Sequence, residues 1–304
     1  MFYIIKKAMK NVPYKNFAGD KLKISNKKDL KSVLESEGFS FKKSLGQNFL
    51  IDDTVCPRMA AAVSGENVGV LEIGPGAGVL TAQLSAACKK VVSVELDTRL
   101  KPVLEQTLAD CDNVKIIWND ILKVDLKTVL AEEFSDCDTI NICANLPYYI
   151  TSPVIMMLLE SNLPINKIAV MVQKEAADRL CAEVGSRDAG AVTVAVNYYA
   201  TAKTLFGVPR TSFLPPPNVD SAVIELTLRE NPAVEATDEK QFFRLVKACF
   251  AQRRKILLNT VCNTMGISKD DFRAALNEAG VSETVRGETL TMEQLAAISN
   301  ALCE

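Results

Sequence analysis

The four residues Asn145-Leu146-Pro147-Tyr148 combine types that suit chemistry on a planar, amine-bearing base. They follow an apolar run, Thr139–Ala144, that reads as a buried strand, and a helix-like segment begins at Thr151. In an open α/β sheet the carboxyl ends of the strands are where ligands bind. The Asn145 amide oxygen and the carbonyls of a proline turn accept hydrogen bonds from an amine, and the ring of Tyr148 can stack on a base. Asn and Pro are also ordinary turn residues, so the same stretch reads as a plain strand-to-helix connection. The rest of the chain has to decide between the two.

A second group of residues points to a nucleoside. The apolar run ending in Glu72-Ile73 enters a glycine turn, Gly74, Gly76 and Gly78, before a helix-like stretch. Glycines there let the backbone approach a ligand at a helix amino terminus. A dinucleotide fingerprint wants a third glycine or alanine where this chain has Val79, which weakens a nicotinamide cofactor without excluding it. Glu95 ends the next apolar run and suits a two-pronged hold on ribose hydroxyls. Asp120, after Val114–Trp118, could accept from an adenine amino group. Taken singly, each acid reads as a solvated or capping residue; at successive strand ends beside one glycine turn, they favour a nucleoside cofactor.

Other chemistries are removed by what is missing. The 304 residues contain no histidine, which excludes Ser-His-Asp and Cys-His hydrolases and histidine-based metalloprotease motifs. The nine cysteines include no C-x-x-C pair, so they read as small buried apolar residues of a reducing cytosol rather than as zinc ligands or disulfides. Met1–Ile5 is too short for the apolar core of a signal peptide. Thr139–Leu159 is uncharged and long enough to cross a bilayer, but Asn141, Asn145, Pro147 and Pro153 interrupt it, so it reads as strand, loop and helix. Net charge is −2, unevenly spread: residues 1–44 hold eleven lysines against four acids, and the remaining 260 carry 24 basic and 33 acidic groups. A lysine-rich arm on an acidic body fits contact with phosphate backbone; its bland alternative is a solvated tail.

The elements that must position these groups follow from pattern. Helices are expected over Asp29–Glu37, stopping at Gly38, and from about Asp53 to Val63. Phe39–Asp52 reads as a loop over a site rather than a core element. Strands are expected at Val68–Ile73, Val91–Glu95, Val114–Trp118, Thr139–Ala144 and Ile168–Val172, with a helix from the glycine turn through about Cys88. Strands alternating with helices imply parallel pairing and a doubly wound α/β sheet. The β-rich runs Ala191–Tyr199, Lys203–Val208 and Ser221–Leu228 complete it. Residues 229–237 read as a linker. Asp238 or Thr237 would cap a helix Glu239–Leu258 whose Arg244, Lys247, Arg254 and Lys255 share one arc of about 100°. Arg253 falls amid the apolar face of that helix, so it is either paired with an acid or marks a break near Gln252. Ser268/Asp271 and Thr291/Gln294 look like capping boxes of two further helices, with Gly280 ending the first.

Four motifs stand in order: KSLGQNFLID (Lys43–Asp52), EIGPGAG (Glu72–Gly78), NLPY (Asn145–Tyr148) and FLPPPNVDS (Phe213–Ser221). On these residues the chain resembles the ribosomal RNA adenine N6,N6-dimethyltransferases, of the bacterial small-subunit type linked to kasugamycin sensitivity. The resemblance runs from about Asp29 to the end and leaves out the first 25 or so residues. It implies a Rossmann-like class I methyltransferase sheet with a small C-terminal all-helical domain. It implies S-adenosylmethionine held by Asn48, Leu50, Gly74, Gly76, Glu95, Asp120 and Asn145. Catalysis would fall to Asn145, Leu146, Pro147 and Tyr148, with Phe213 on the other face of the base. No metal is implied. The substrate implied is a pair of adjacent adenosines in a hairpin loop near the 3′ end of 16S rRNA, within the small ribosomal subunit or its precursor.

The expected organisation is a basic extension over residues 1–28, a methyltransferase domain over 29–230 and a helical domain over 238–304, in a cytoplasmic monomer. Two alternatives stay open: a macrolide-resistance methyltransferase of large-subunit rRNA, and a non-catalytic RNA-binding assembly factor. The Phe213–Ser221 motif and the Phe250–Lys255 run resemble the small-subunit type, and the intact Asn145–Tyr148, Glu95 and Asp120 set speaks against lost activity.

Overall fold

The computed structural model describes residues 27–42, 46–252 and 255–303, so the basic extension before Lys27 and the start of the Lys43–Asp52 motif lie outside the described residues. In chain order the elements begin with α1 (Lys27–Ser36), β1 (Phe49–Leu50), α2 (Val55–Val63), β2 (Gly65–Ile73), α3 (Val79–Ala87) and β3 (Cys88–Glu95). They continue with α4 (Lys101–Thr107), β4 (Val114–Trp118), α5 (Leu126–Glu133), β5 (Thr139–Asn145), α6 (Thr151–Glu160), β6 (Lys167–Gln173) and α7 (Lys174–Leu180). Then come α8 (Ala191–Tyr199), β7 (Ala200–Val208), β8 (Phe213–Leu214), β9 (Ser221–Leu228), α9 (Glu239–Phe250), α10 (Leu257–Met265), α11 (Lys269–Glu278) and α12 (Met292–Ala301). Among the strands, β4-β3-β2-β5 hydrogen-bond in that order, and so do β6-β9-β7.

Two compact units make up the chain. The first holds the chain up to Val124, with Thr128–Ala144 and Thr211–Pro217. Its strands β4, β3, β2 and β5 are parallel, as βα alternation requires. Their centres are near-continuous apolar runs, because a parallel sheet is covered on both faces: Val70, Leu71, Val91, Val92, Ile142 and Cys143 are fully buried. Register sets the site. Ile73 pairs with Val94 and Ala144, and Glu95 pairs with Trp118, so Gly74, Glu95 and Asn119-Asp120 emerge at one end of the sheet. The Asn141 amide donates to the Val63 carbonyl (2.7 Å), tying β5 to the end of α2.

The second unit holds 125–127, 145–210 and 218–304. Here β9 pairs antiparallel with both β6 and β7, so the sheet closes on antiparallel strands rather than the parallel ones the alternation implied. β9 reaches β6 from β7, and a strand that returns directly from its neighbour runs the opposite way.

Ala191–Tyr199, expected as β-rich, is helix α8. Thr193 explains the difference. Fully buried, its hydroxyl accepts from the Gly190 N–H (2.8 Å) and donates to the Arg179 carbonyl (2.7 Å), which satisfies the helix start. Val194 and Tyr198, one turn apart, then bury against Phe242 and its neighbours in α9. Packing overrides the β propensity of a valine-rich run.

The expected helix Glu239–Leu258 also differs. It breaks after Phe250 and restarts at Leu257, the break that Arg253 hinted at. Asp238 caps its start by accepting from the N–H groups of Lys240 and Gln241. α11 and α12 begin as the capping boxes predict: Ser268 Oγ accepts from Asp271 N (3.1 Å), and Thr291 exchanges bonds with Gln294 both ways. Gly280 follows α11 with φ +65°. α9 to α12 bury Phe242, Leu245, Phe272, Leu276, Leu295 and Ile298 in one cluster, which also takes in Val194 and Tyr198 of α8. No helix among the described residues is long and apolar enough to cross a membrane.

Candidate active site

In the first unit the glycine turn and the strand ends assemble one acidic, close-packed group. Gly76 has φ +56°, and a β-carbon there would stand 3.0 Å from the Phe49 ring, so only glycine fits without displacing that ring. Gly76 N donates to Glu95 Oε2 (3.3 Å), and Asp97 N donates to Glu95 Oε1 (2.8 Å). The Leu96 N–H also reaches this carboxyl, and since each carboxylate oxygen carries two acceptor positions, part of its accepting capacity stays open to a hydroxyl. Burial raises the Glu95 pKa, against the pull of these backbone donors. Gly74 N donates to the Val94 carbonyl (3.0 Å), which fixes the entry of the turn to the end of β3.

Asp120 does cap: its Oδ1 accepts from Leu122 N (3.1 Å) at the start of the single turn Ile121–Lys123. Beside these acids Leu96 and Leu122 are 54% and 47% exposed. Two open apolar side chains next to two strand-end carboxylates match the needs of a nucleoside, whose base wants apolar faces and whose ribose and amino groups want acceptors.

The Phe39–Asp52 stretch is more than a loop over the site. Phe49 and Leu50 are buried and pair antiparallel with Leu214 and Phe213 as β1 and β8, which brings the first and last motifs into register. Phe39, Phe41 and Phe49 pack ring to ring at 5.4–5.9 Å. Asn48 turns its amide onto the Gly46 carbonyl (3.1 Å).

Sequence reasoning missed the group that pins this stretch. Asp97 accepts from Gln47 Nε2 (2.8 Å) and from Arg99, whose guanidinium lies 5.0 Å over the Phe39 ring and donates to the Ser40 carbonyl. Burial works against the Asp97 charge, yet the Arg99 and Gln47 bonds hold its pKa below the ordinary carboxylate range. The available signal was an acid followed two residues on by an arginine, directly after Glu95. Phe213 is 3% exposed, its ring covered.

In the second unit the Asn145–Tyr148 turn is specific in which groups it uses. The Pro147 carbonyl accepts from Ile150 N (3.1 Å) and from Thr151 Oγ1 (3.4 Å), which occupies both of its acceptor positions. Leu146 is buried, and Asn145 and Tyr148 are half-buried. The Tyr148 hydroxyl shares a hydrogen bond with Ser221 Oγ (2.8 Å), so the last residue of the fourth motif holds the ring of the third. Burial raises the Tyr148 pKa, and the Ser221 bond offsets this only in part, so the phenol stays protonated and is no base. Tyr149 is 58% exposed.

The basic arc of the C-terminal helices is interrupted. Arg244 Nη2 donates to the Met265 carbonyl (2.8 Å), a structural use, and Lys255 lies beyond the end of α9; Arg253 and Arg254 lie outside the described residues. Lys247 and Lys255 are exposed.

Comparison with known proteins adds to this geometry. Residues 38–304 match the model of a family described as ribosomal RNA adenine dimethylase. The chain is similar to the ribosomal RNA small subunit methyltransferase A of Geobacillus thermodenitrificans, 52% identical over 277 residues, covering 90% of this chain and 94% of that one. It is 50% identical over 279 residues to the protein of the same name from Bacillus licheniformis, covering 90% and 95%. Among solved structures, a dimethyladenosine transferase from Plasmodium falciparum superposes with a TM-score of 0.67 at 25% identity, over 82% of this chain and 95% of that one. The 23S rRNA methyltransferase ErmE does so with a TM-score of 0.63 at 25% identity, over 84% and 100%.

Proposed function

The chain belongs to the ribosomal RNA adenine dimethylase family, and from that premise we propose how its own residues carry out the reaction and on which RNA. It is an S-adenosylmethionine-dependent rRNA adenine dimethyltransferase with a Rossmann-like fold. The proposed target is N6 of two adjacent adenosines in a hairpin loop near the 3′ end of 16S rRNA, each methylated twice. The names of the 50–52% identical relatives support the small subunit over the large, and over a purely non-catalytic factor.

Asn48, Leu50, Gly74, Gly76, Glu95, Asp120 and Asn145 are the proposed cofactor contacts: Glu95 for the ribose hydroxyls, Asp120 for the adenine amino group, the glycine turn for close backbone approach. The bound cofactor supplies a methyl already activated on a sulfonium. The protein therefore has to supply alignment and electrostatics, for which histidine is dispensable.

Adenine N6 is a poor nucleophile because its lone pair is delocalised into the ring. Hydrogen bonds from its N–H groups to the Asn145 Oδ1 and to a main-chain carbonyl favour a pyramidal nitrogen and stabilise the positive charge that grows on it. With the Pro147 carbonyl doubly engaged, the Leu146 carbonyl is the main-chain acceptor of choice; that occupancy is the observation that carries the reading. Tyr148, its hydroxyl tied to Ser221, is a fixed platform for a base that has left its stack. Phe213 is proposed for the opposite face, a role that requires its covered ring to open. Residues 29–230 form the proposed methyltransferase domain and 238–304 the helical domain of a cytoplasmic monomer.

Single-turnover methylation at saturating cofactor and RNA tests the mechanism. Asn145→Ala should lose on the order of 100-fold or more in rate with RNA binding little changed. Near-normal turnover would reduce Asn145 to a turn residue.

A further inference from the structure

Directly before the glycine turn lies a carboxyl that the proposed mechanism does not use. Glu72, in β2, is fully buried. Its Oε2 accepts from Ser93 Oγ of β3 (2.6 Å) and from Thr81 Oγ1 of α3 (2.7 Å). Its Oε1 is buried with no hydrogen-bond partner. A buried carboxylate oxygen facing no donor is costly, whereas a protonated one carries no charge to solvate. Two hydroxyls on one oxygen and none on the other fit a neutral carboxylic acid with Oε2 as its carbonyl and the proton on Oε1, an O–H that costs less to bury without a partner than a charged oxygen does.

The surroundings reinforce this. Glu95, the acid that accepts from Gly76 N, lies close enough to Glu72 to disfavour its ionisation. The Cys56 thiol of α2 and the Cys143 thiol of β5 both feel the Glu72 charge, and burial pushes both thiols up, so neither is ionised. Asp97 acts on Glu95 in the same repulsive sense. No lysine or arginine is among the groups that move either carboxyl. Burial first, and Glu95 after it, push the Glu72 pKa up to about 7 against the two hydroxyl bonds, and burial raises Glu95 as well.

We propose that Glu72 and Glu95 form a proton store behind the cofactor turn, which holds a proton while the turn is empty and releases it to solvent when a cation occupies the turn. S-adenosylmethionine brings that cation as its sulfonium; S-adenosylhomocysteine, with a neutral thioether, does not. Cofactor binding is then linked to proton release and strengthens as pH rises through neutrality, while product binding is nearly pH-independent. The device favours exchange of spent product for fresh cofactor. It rests on the reading that the cofactor sits at Gly74–Gly78.

Titration calorimetry of the full chain, with each ligand in two buffers of different ionisation enthalpy at pH 7, counts the protons. Wild type should release about half a proton with S-adenosylmethionine and clearly less with S-adenosylhomocysteine. Glu72→Gln should bind S-adenosylmethionine without the buffer-dependent heat. Should that variant not fold, Ser93→Ala, which removes one hydroxyl bond from the carboxyl, should move the release to higher pH. Buffer-independent heats in the wild type, or unchanged release in either variant, would overturn the proton store. Gly76→Ala separates the two readings: a weakened cofactor supports the turn as its seat, and an unchanged affinity would overturn that placement whatever the proton count.

Discussion

At the scale of single residues, Tyr148 shows how structure sharpens an expectation. From sequence, the Tyr148 ring is there to stack on a base, and Tyr148→Phe, which keeps the ring, should stay active. The bond to buried Ser221 changes this. Loss of the hydroxyl leaves Ser221 Oγ short of a partner and frees the ring, at a cost on the order of 1 kcal/mol. Tyr148→Phe should therefore lower kcat/KM several-fold, with Tyr148→Ala losing far more, as steady-state kinetics on both variants would show. Equal activity of Phe and wild type would mean the Ser221 bond does not position the ring. Glu72 gives a second residue-scale expectation. Its pKa is raised in the folded chain, so the native state binds the proton more tightly than the unfolded chain, and stability falls as pH rises from the ordinary glutamate range to about 7. Glu72→Gln carries no such dependence. Its melting temperature relative to wild type should rise between pH 5 and pH 8, on the order of 5 °C, by scanning calorimetry. A pH-independent difference would mean that Glu72 titrates normally.

At the scale of elements, legibility followed the origin of the stabilising contacts. The parallel strands were readable because each is an apolar run bounded by turn residues, and Asn145, Glu95 and Asp120 stand out as candidates because they punctuate those runs. The capping boxes of α11 and α12 were readable because their chemistry is local, three residues wide. α8 was not readable: AVTVAVNYY has strand propensity, and what makes it a helix is the bond from Thr193 to the Arg179 carbonyl and the burial of Val194 and Tyr198 against α9, both set by residues far away in the chain. β1 was missed because two residues carry no period, and its partner β8 lies more than 160 positions on. Asp97 was missed because its partner Gln47 comes from that same distant stretch. If Thr193 holds the start of α8, Thr193→Val, which keeps the shape but removes two buried hydrogen bonds, should destabilise the protein by about 2–3 kcal/mol in urea unfolding. Thr193→Ser should recover most of it. A neutral Thr193→Val would place the helix signal elsewhere.

At the scale of the whole molecule, the question is where phosphate backbone meets an acidic protein. Lysines crowd residues 1–44, most of them outside the described residues, and the C-terminal arc presents Arg244, Lys247 and Lys255 as exposed cations whose side chains are described, with Arg244 also donating to the Met265 carbonyl. Because Arg244 also donates to the Met265 carbonyl, Arg244→Ala should cost stability, whereas Lys247→Gln with Lys255→Gln should leave it intact. The lysine pair, or neutralisation of the lysines up to Lys43, should flatten the salt dependence of binding to the small-subunit particle by about one log–log unit for each phosphate that the protein no longer neutralises. An unchanged slope in both variants would put the RNA surface on other residues.

The claim on which the rest depends is that this chain methylates a particular pair of adenosines. Mass mapping of rRNA from cells lacking the protein, and from the same cells supplied with it again, tests that most directly. Two adjacent N6,N6-dimethyladenosines near the 3′ end of 16S rRNA should vanish and return, and Asn145→Ala should fail to restore them. Methyl groups that persist without the protein, or that appear on 23S rRNA when it is supplied, would contradict the account.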